Sequence, residues 1–289
     1  MISTLVLGLV LGGTYALVAL GLTLQYGVAR IMNLAYGEII IAASFATFVL
    51  FSSAGLNPVL ALVLVVPAGF ILSWLTYAIM MQPLVARAAD RGRLEIDSIL
   101  ATFGLLFVIQ GIMLVIFGGN FTGYTFLNVP VDVFGTKIAA NRLIAFVLAV
   151  VIGTGLYLVV TRTRWGITLM AVAYRPENAP LVGIDVNRTA RLAFALGGAL
   201  AASGGVVISM YQTFTATSGV VFTMKALIVV IMGGAGNLLG ALVAGLVLGL
   251  VETFVAAYVD PGLTLAATYG IFLAVLLWRP AGLFGKSAG

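Results

Sequence analysis

Residues 1–29 read MISTLVLGLVLGGTYALVALGLTLQYGVA and contain no charged side chain. A helix that spans a bilayer needs about 20 predominantly apolar residues, so this run is long enough to cross a membrane. It is longer than the apolar core of a typical signal peptide, and no basic residue precedes that core. We therefore predict that the run is the first transmembrane helix and not a cleaved leader.

The composition extends this prediction to the whole chain. Of its 289 residues, 62% are hydrophobic and 8% are charged. About a quarter of the residues in a soluble domain are charged, so this chain cannot cover a water-facing surface. The sequence thus indicates an all-α, polytopic membrane protein with a single domain over residues 1–289.

Further uncharged or nearly uncharged runs define the other spans. The predicted segments are 3–27, 39–53, 58–81, 98–118, 143–161, 192–211, 220–232, 238–259 and 263–278. The segments 39–53 and 220–232 are shorter than a bilayer requires. The prediction is therefore eight or nine transmembrane segments, and eight full spans with one half-helix also fit. The segments show no clear inverted repeat.

Basic residues predict the orientation of the chain. If loops 82–97 and 162–191 face the cytoplasm, eleven Lys and Arg residues lie inside and only Lys137, Arg142 and Lys225 lie outside. Cytoplasmic loops carry the excess of basic residues, which places the N-terminus outside and the C-terminus inside. Membrane orientation also explains the net charge of +5 better than nucleic-acid binding does.

The absence of cysteine and histidine limits the chemistry of the chain. Without cysteine there are no disulfides and no thiolate sites. Without histidine the chain lacks the commonest metal ligand and the commonest general base near neutral pH. We expect no catalytic, metal-binding or cofactor-binding residue, and no enzymatic activity in this chain.

Glycines are spaced for close helix packing. The stretches 8–12, 236–240 and 245–249 each begin and end with glycine. Small residues four apart share one helix face and let two backbones approach closely in lipid. Helix packing is the favoured interpretation, and a close-packed substrate path is the alternative.

A glycine cluster separates the seventh and eighth predicted segments. Gly233, Gly234 and Gly236 precede Asn237, without the Lys and Ser/Thr of a phosphate-binding loop. Three glycines in four residues favour a helix break. We predict a turn at the inner surface; a moving hinge, a partner contact or a place on the translocation pathway are the alternatives.

Six polar side chains stand in or beside apolar segments: Gln25, Asn33, Glu38, Gln110, Lys225 and Glu252. Charged groups within a membrane usually face a partner or water. Lys225 and Glu252 have similar expected depths on neighbouring segments, which predicts an ion pair, with pathway lining as the alternative. For Glu38 we favour helix capping or anchoring at the membrane interface, because two isolated carboxylates are too few for a typical proton relay.

The loop 162–191 is apolar enough to be structured. Pro176 and Glu177 suit the first turn of a helix, and Gly183 suits its end. These signals predict a short amphipathic helix within residues 171–185. Physical arguments leave two roles open for it: a helix lying on the membrane surface, or one docking into a groove of a soluble partner.

Four stretches of the sequence together form a specific pattern. They are residues 21–38, 162–205, 233–241 and 279–285. The first contains NLAYGE, the third begins with GGAGN, and the fourth reads RPAGLFG. Along essentially its whole length the chain resembles branched-chain amino acid ABC transporter permeases of the LivH type. That family often has histidine where Tyr36 stands and arginine where Ile167 and Met170 stand.

The resemblance implies the permease subunit of an importer in the bacterial cytoplasmic membrane. Such a subunit forms the path for branched-chain or related small amino acids. The implied partners are a second permease subunit in a heterodimer or homodimer, two ATP-binding subunits, and an extracytoplasmic binding protein. Coupling to the ATPase would fall to Arg175, Glu177, Ala179, Leu181 and Gly183. Permeases for urea, short amides or other small carboxylates are alternatives, as is a stand-alone secondary transporter or channel.

Overall fold

The uncharged runs form long helices. The computed structural model describes residues 1–88, 90–133 and 135–285. Its α-helices are α1 (Ile2–Ala29), α2 (Tyr36–Ala54), α3 (Pro58–Thr76), α4 (Gln82–Arg87), α5 (Arg91–Phe117), α6 (Ala140–Arg162), α7 (Arg164–Tyr174), α8 (Val186–Ser209), α9 (Gly219–Gly233), α10 (Leu238–Tyr258) and α11 (Thr264–Trp278). A π-helical turn, Tyr77–Met81, joins α3 and α4 into one helix of 30 residues.

Eight helices in the described ranges are long and apolar enough to cross a membrane. They are α1, α2, the joined α3 and α4, α5, α6, α8, α10, and α11 with its preceding 3₁₀ turn. Helix α9 has 15 residues, or about 22 Å of length, which is less than the ~30 Å hydrocarbon core. The described ranges thus hold eight helices of spanning length and one shorter helix, in agreement with the predicted eight or nine segments.

Alternating helix directions give the bundle two ends. The basic end comprises the end of α4 and the start of α5, residues 163–185, residues 234–237 and residues 279–285. The hairpin end comprises the start of α1, residues 55–57, 118–133, 135–139 and 210–218, and the turn before α11. An antiparallel hairpin of β1 (Pro130–Val133) and β2 (Thr136–Ala139) lies at this second end, with Val131 opposite Ile138.

Glycine faces hold α1 against α10. A Cβ added to Gly12 would lie 2.8 Å from the Cα of Leu246, and one added to Gly8 would lie 3.1 Å from the Cα of Leu250. Because the partner number rises as the glycine number falls, the two helices are antiparallel with their backbones in contact. The packing role predicted from the glycine spacing is confirmed for 8–12 and 245–249. It is wrong for 236–240, because Gly236 lies in the turn before α10 and not on a helix face.

A second antiparallel contact reveals an inverted repeat. Gly69 of α3 lies against Gly198 and Ala202 of α8. The bundle thus contains two triplets of helices, α1–α3 and α8–α10. The first helix of each triplet packs against the third helix of the other, α1 against α10 and α8 against α3. The middle helices α2 and α9 touch at Gly37 and Gly219. Since α1 and α8 run in opposite directions, the two triplets form an inverted-topology repeat. The sequence showed no clear sign of this repeat.

Helix α2 begins inside the bundle and not at its end. The Tyr26 hydroxyl donates to Oε1 of Glu95 at 3.3 Å, whereas the backbone N–H of Leu34 donates to Oγ1 of Thr102 at 3.1 Å. Thr102 lies seven residues beyond Glu95 on α5, a rise of about 10 Å. Residues 31–35 therefore fold back into the protein, and α2 starts deeper in the bundle than the end of α1.

The helix predicted to begin at Pro176 is wrong in position. Helix α7 begins after Thr163, whose side chain caps its first turn, and it ends at Tyr174. A residue before proline disfavours the helical conformation, and Arg175 accordingly has φ −145° and ψ 78°. The proline thus marks the end of a helix and not its beginning.

Candidate functional site

The predicted ion pair lies where α1, α9 and α10 meet. Nζ of Lys225 is 2.6 Å from Oε1 of Glu252, and the side chains are 12% and 13% exposed. The Tyr15 hydroxyl donates to Oε2 of Glu252 at 2.8 Å and accepts from Lys225 at 2.5 Å. The Lys225 ammonium also lies 4.7 Å from the centre of the Tyr15 ring, which adds a cation–π contact. The pair expected from the sequence is present, and a phenol is hydrogen-bonded to both of its members.

Sequence reasoning missed Tyr15. The residue stands in an uncharged run, where an aromatic side chain normally packs against other helices or lipid. A usable signal was present, since Tyr15 follows Gly8 and Gly12 at positions i+7 and i+3 and therefore shares their helix face. That face is the one that packs against α10, which carries Glu252.

A second polar cluster adjoins the ion pair. Tyr211 follows α8, and its hydroxyl donates to Oγ1 of Thr14 at 3.0 Å. Burial raises the pKa of the Tyr211 phenol to about 12; the Thr14 hydrogen bond and the Arg142 charge oppose the rise, and Glu252 adds to it. The phenol is therefore protonated near neutral pH, and both Arg142 and Glu252 lie within its electrostatic reach.

Two cavities open beside this cluster. The hairpin cavity, of about 500 Å³, is lined by Phe121, Gly123, Tyr124, Thr125, Asn128, Ala139, Asn141, Arg142, Met210, Tyr211, Gln212 and Thr213. The Glu252 cavity, of about 250 Å³, is lined by Leu7, Val10, Leu11, Arg142, Tyr211, Gln212, Glu252, Thr253, Ala256 and Thr264. Because Arg142, Tyr211 and Gln212 line both, the two cavities are neighbours at the hairpin end.

Glu38 is buried where α2 and α9 meet. Its side chain is fully buried, and neither carboxylate oxygen has a hydrogen-bond partner among the described residues. It stands in the first turn of α2, where the helix dipole favours a negative charge. Gly219, the first residue of α9, lies against the same carboxylate. The expectation that Glu38 caps a helix or anchors the membrane interface is therefore wrong, because the chain folds back before α2 and carries Glu38 into the protein.

Gln25 and Asn33 form a buried network. Nε2 of Gln25 donates to the carbonyl oxygen of Phe194 at 2.9 Å, and its Oε1 accepts from Nδ2 of Asn33 at 3.2 Å. Oδ1 of Asn33 accepts from the backbone N–H of Ala35 at 3.1 Å. The network ties α1 to α8 and holds the segment before α2, which is a structural role.

Gln110 does not join these groups. It is half-buried on α5, and its side chain forms no hydrogen bond with any residue in the described ranges. The described residues also contain no group of three Asp or Glu side chains that could hold a metal ion.

The glycine break joins α9 to α10. Helix α9 ends at Gly233, and α10 begins at Leu238 with its first turn capped by the side chain of Asn237. Gly234 and Gly236 have φ values of 100° and 87°, which residues with a Cβ rarely adopt. The turn predicted from the glycine cluster is confirmed.

Residues 279–285 fold over this break. The backbone N–H of Leu283 donates to the carbonyl oxygen of Met232 at 2.8 Å. A Cβ on Gly234 would lie 2.7 Å from the backbone nitrogen of Gly285, so a larger residue would displace the segment. Two of the four stretches that carry the family resemblance therefore form one structure at the basic end.

The residues predicted to contact an ATPase lie between α7 and α8. Four are exposed at the basic end: Arg175, Glu177, Leu181 and Gly183. Leu181, 84% exposed, stands in a 3₁₀ turn, Ala179–Val182, that ends at Gly183 with φ 78°. Ala179 is buried among core side chains and does not belong to this surface.

Comparisons with known proteins agree with this architecture. The family described as "Branched-chain amino acid transport system / permease component" matches residues 4–278. The chain is 30% identical to the high-affinity branched-chain amino acid transport system permease protein BraD of Pseudomonas aeruginosa, over 98% of this chain and 95% of that protein. It is 29% identical to the probable branched-chain amino acid transport permease protein LivH of Methanocaldococcus jannaschii, over 93% of this chain and 88% of that protein.

A solved structure has a similar fold. It is titled PsaBC from Streptococcus pneumoniae in complex with Fab, and it superposes with a TM-score of 0.50. The match covers 97% of this chain and 92% of that chain at 14% sequence identity. At this identity the likeness concerns the fold alone.

Proposed function

This chain belongs to the family of permease components of branched-chain amino acid transport systems, and on that premise we propose the function of an importer subunit. It forms the translocation path for branched-chain or related small amino acids in the cytoplasmic membrane. An extracytoplasmic binding protein delivers the substrate, and partner ATPases supply the energy. The chain itself does not hydrolyse ATP.

The observation that carries this proposal is similarity along the whole chain. The family matches residues 4–278, and the relatives named above are covered over at least 88% of their length. A shared short motif could reflect a common packing device, whereas similarity that includes both ends of the bundle supports a common role. The substrate class is inferred from the relatives' names.

The basic end supports ATPase docking. It carries the loops rich in basic residues, so the positive-inside rule places it in the cytoplasm. Leu181 and Val182 are 84% and 74% exposed there, beside Arg175 and Glu177. Large apolar side chains that protrude among charged neighbours suit a groove on a soluble subunit. Each ATPase of a pair would engage one permease, and two permeases would assemble as a heterodimer or a homodimer.

The lateral faces leave room for that second permease. Helices α5 and α11 are the least buried of the spans. They present large exposed side chains such as Phe107 and Val115 on α5 and Leu273 and Leu277 on α11. Apolar faces of this kind contact lipid or another membrane subunit.

Reconstitution tests the function directly. The chain is assembled in liposomes with its second permease and ATPases, and uptake of labelled leucine, isoleucine and valine is measured with the binding protein and ATP. We expect uptake that requires all components, with urea and short amides as the comparison substrates. Uptake without ATPases, driven by an ion gradient, would instead identify a secondary transporter.

A further inference from the structure

The Glu252 cavity combines opposite charges with an apolar wall. Helix α6 contributes Arg142, α10 contributes Glu252, and α1 contributes Leu7 and Leu11. Drug-sized ligands occupy cavities of roughly 300–1,000 Å³, so a cavity of about 250 Å³ suits a smaller molecule. We propose that this cavity binds the zwitterion of a small apolar α-amino acid, as a substrate subsite within the permease. The inference rests on the proposed function and gives it a location.

Arg142 is the group that binds the ligand carboxylate. It stands in the first turn of α6, where the helix dipole also favours a negative charge. Its guanidinium forms no ion pair and no hydrogen bond with any residue in the described part of the chain. The planar guanidinium fork matches a carboxylate through two parallel hydrogen bonds. An arginine that lines a cavity without an acidic partner is therefore ready for such a ligand.

Glu252 supplies the opposite pole, but Lys225 already balances its charge. Each carboxylate oxygen of Glu252 accepts one hydrogen bond, from Lys225 or from Tyr15, and a carboxylate oxygen can accept a second. A ligand ammonium thus meets a balanced pair, while a ligand carboxylate meets the unbalanced charge of Arg142. The carboxylate consequently contributes more to binding than the ammonium does.

The apolar wall selects the side chain of the ligand. Leu7 and Leu11 of α1 and Ala256 of α10 form this wall and offer no hydrogen bond to a polar ligand side chain. The hydrogen-bonding groups of the lining, besides Arg142 and Glu252, are those of Tyr211, Gln212, Thr253 and Thr264. A leucine side chain removes apolar surface from water on this wall, whereas a serine or asparagine side chain leaves its polar atoms unpaired there. The expected order of affinity is leucine above alanine above serine.

Saturation-transfer NMR on the full chain in nanodiscs, without the binding protein, tests the subsite at millimolar ligand. The probes are L-leucine, L-leucinamide, which lacks the carboxylate, and 4-methylpentanoate, which lacks the ammonium. We expect leucine to bind at least about tenfold more tightly than leucinamide, because a charge-assisted hydrogen bond is lost. 4-Methylpentanoate should lose less affinity than leucinamide.

Variants assign the effect to Arg142. Arg142→Gln should weaken leucine binding at least about tenfold and leave leucinamide binding unchanged, so that the difference between the two probes disappears. Lys137→Gln is the matched control, because it removes the same charge from an exposed position in β2 outside the cavity. Unchanged leucinamide binding also shows that the Arg142→Gln protein is folded.

Three results would overturn the subsite. They are no leucine binding to the wild-type chain, an equal loss with Lys137→Gln, and equal competition by inorganic phosphate, which would indicate an unselective anion site. Leucine uptake by the reconstituted importer is measured in parallel. Normal uptake without leucine binding refutes the subsite alone, whereas binding without uptake refutes the proposed function alone.

Discussion

Nζ of Lys225 on α9 lies 2.6 Å from Oε1 of Glu252 on α10, and both side chains are nearly buried. Removing one member of such a pair leaves an uncompensated charge, which costs about 3–5 kcal/mol in a buried setting. Glu252→Gln should therefore lower the thermal stability of the purified chain more than the double variant with Lys225→Met. Equal losses in the single and double variants would contradict this pairing.

Tyr15 should strengthen the same pair. Its hydroxyl is hydrogen-bonded to both Lys225 and Glu252, and hydrogen bonds to charged groups contribute about 1.5–3 kcal/mol each. Tyr15→Phe should therefore lower the unfolding temperature of the purified chain. In a Glu252→Gln, Lys225→Met background the same change should have little further effect. A full loss there would show that the Tyr15 hydroxyl contributes independently of the ion pair.

Gly219 leaves the space that the Glu38 carboxylate occupies. A Cβ at position 219 would lie 2.5 Å from Oε2 of Glu38, so Gly219→Ala should cost about 1–3 kcal/mol of stability. The control is Gly111→Ala on α5, where a Cβ meets nothing within 4 Å. Adding Glu38→Ala to Gly219→Ala should restore part of the loss, and no restoration would mean that the clash lies elsewhere.

Gly234 should not tolerate a side chain. Its φ is 100°, and the backbone of Gly285 lies against it, so Gly234→Val should impair assembly and uptake. Gly270→Val on α11 provides the control, because that position is exposed and its Cβ meets no atom within 4 Å. Copurification of the ATPases and leucine uptake report the defect. Normal values for Gly234→Val would show that the break is incidental.

Leu181 should matter for coupling and not for insertion. The side chain is 84% exposed at the basic end, so Leu181→Asp should leave the fold intact and reduce copurification of the ATPases. Leu263→Asp places the same change on an exposed leucine at the hairpin end and should leave copurification normal. If Leu181→Asp changes only membrane association, the segment is a surface anchor.

Local patterns determined much of this fold. The apolar runs defined the spans because lipid requires every backbone polar group to be paired within a helix. The glycine spacing of α1 and α10 indicated a close contact, and the glycines at 233–236 indicated a break, because both effects depend on the absence of a Cβ. Lys225 and Glu252 could be paired in advance, since two charges in neighbouring apolar segments have few other partners.

Tertiary structure decided which surfaces these patterns serve. The inverted repeat, the return of residues 31–35 into the bundle and the burial of Glu38 depend on contacts between distant segments. Arg142 looked like one of three outer basic residues, and only the packing of α1, α6 and α10 gives it a cavity shared with Glu252. Hydropathy and residue spacing are properties of one segment and predict how that helix contacts lipid or water. A binding site in a membrane bundle depends on which faces of different helices are in contact, and the sequence of one segment does not determine this.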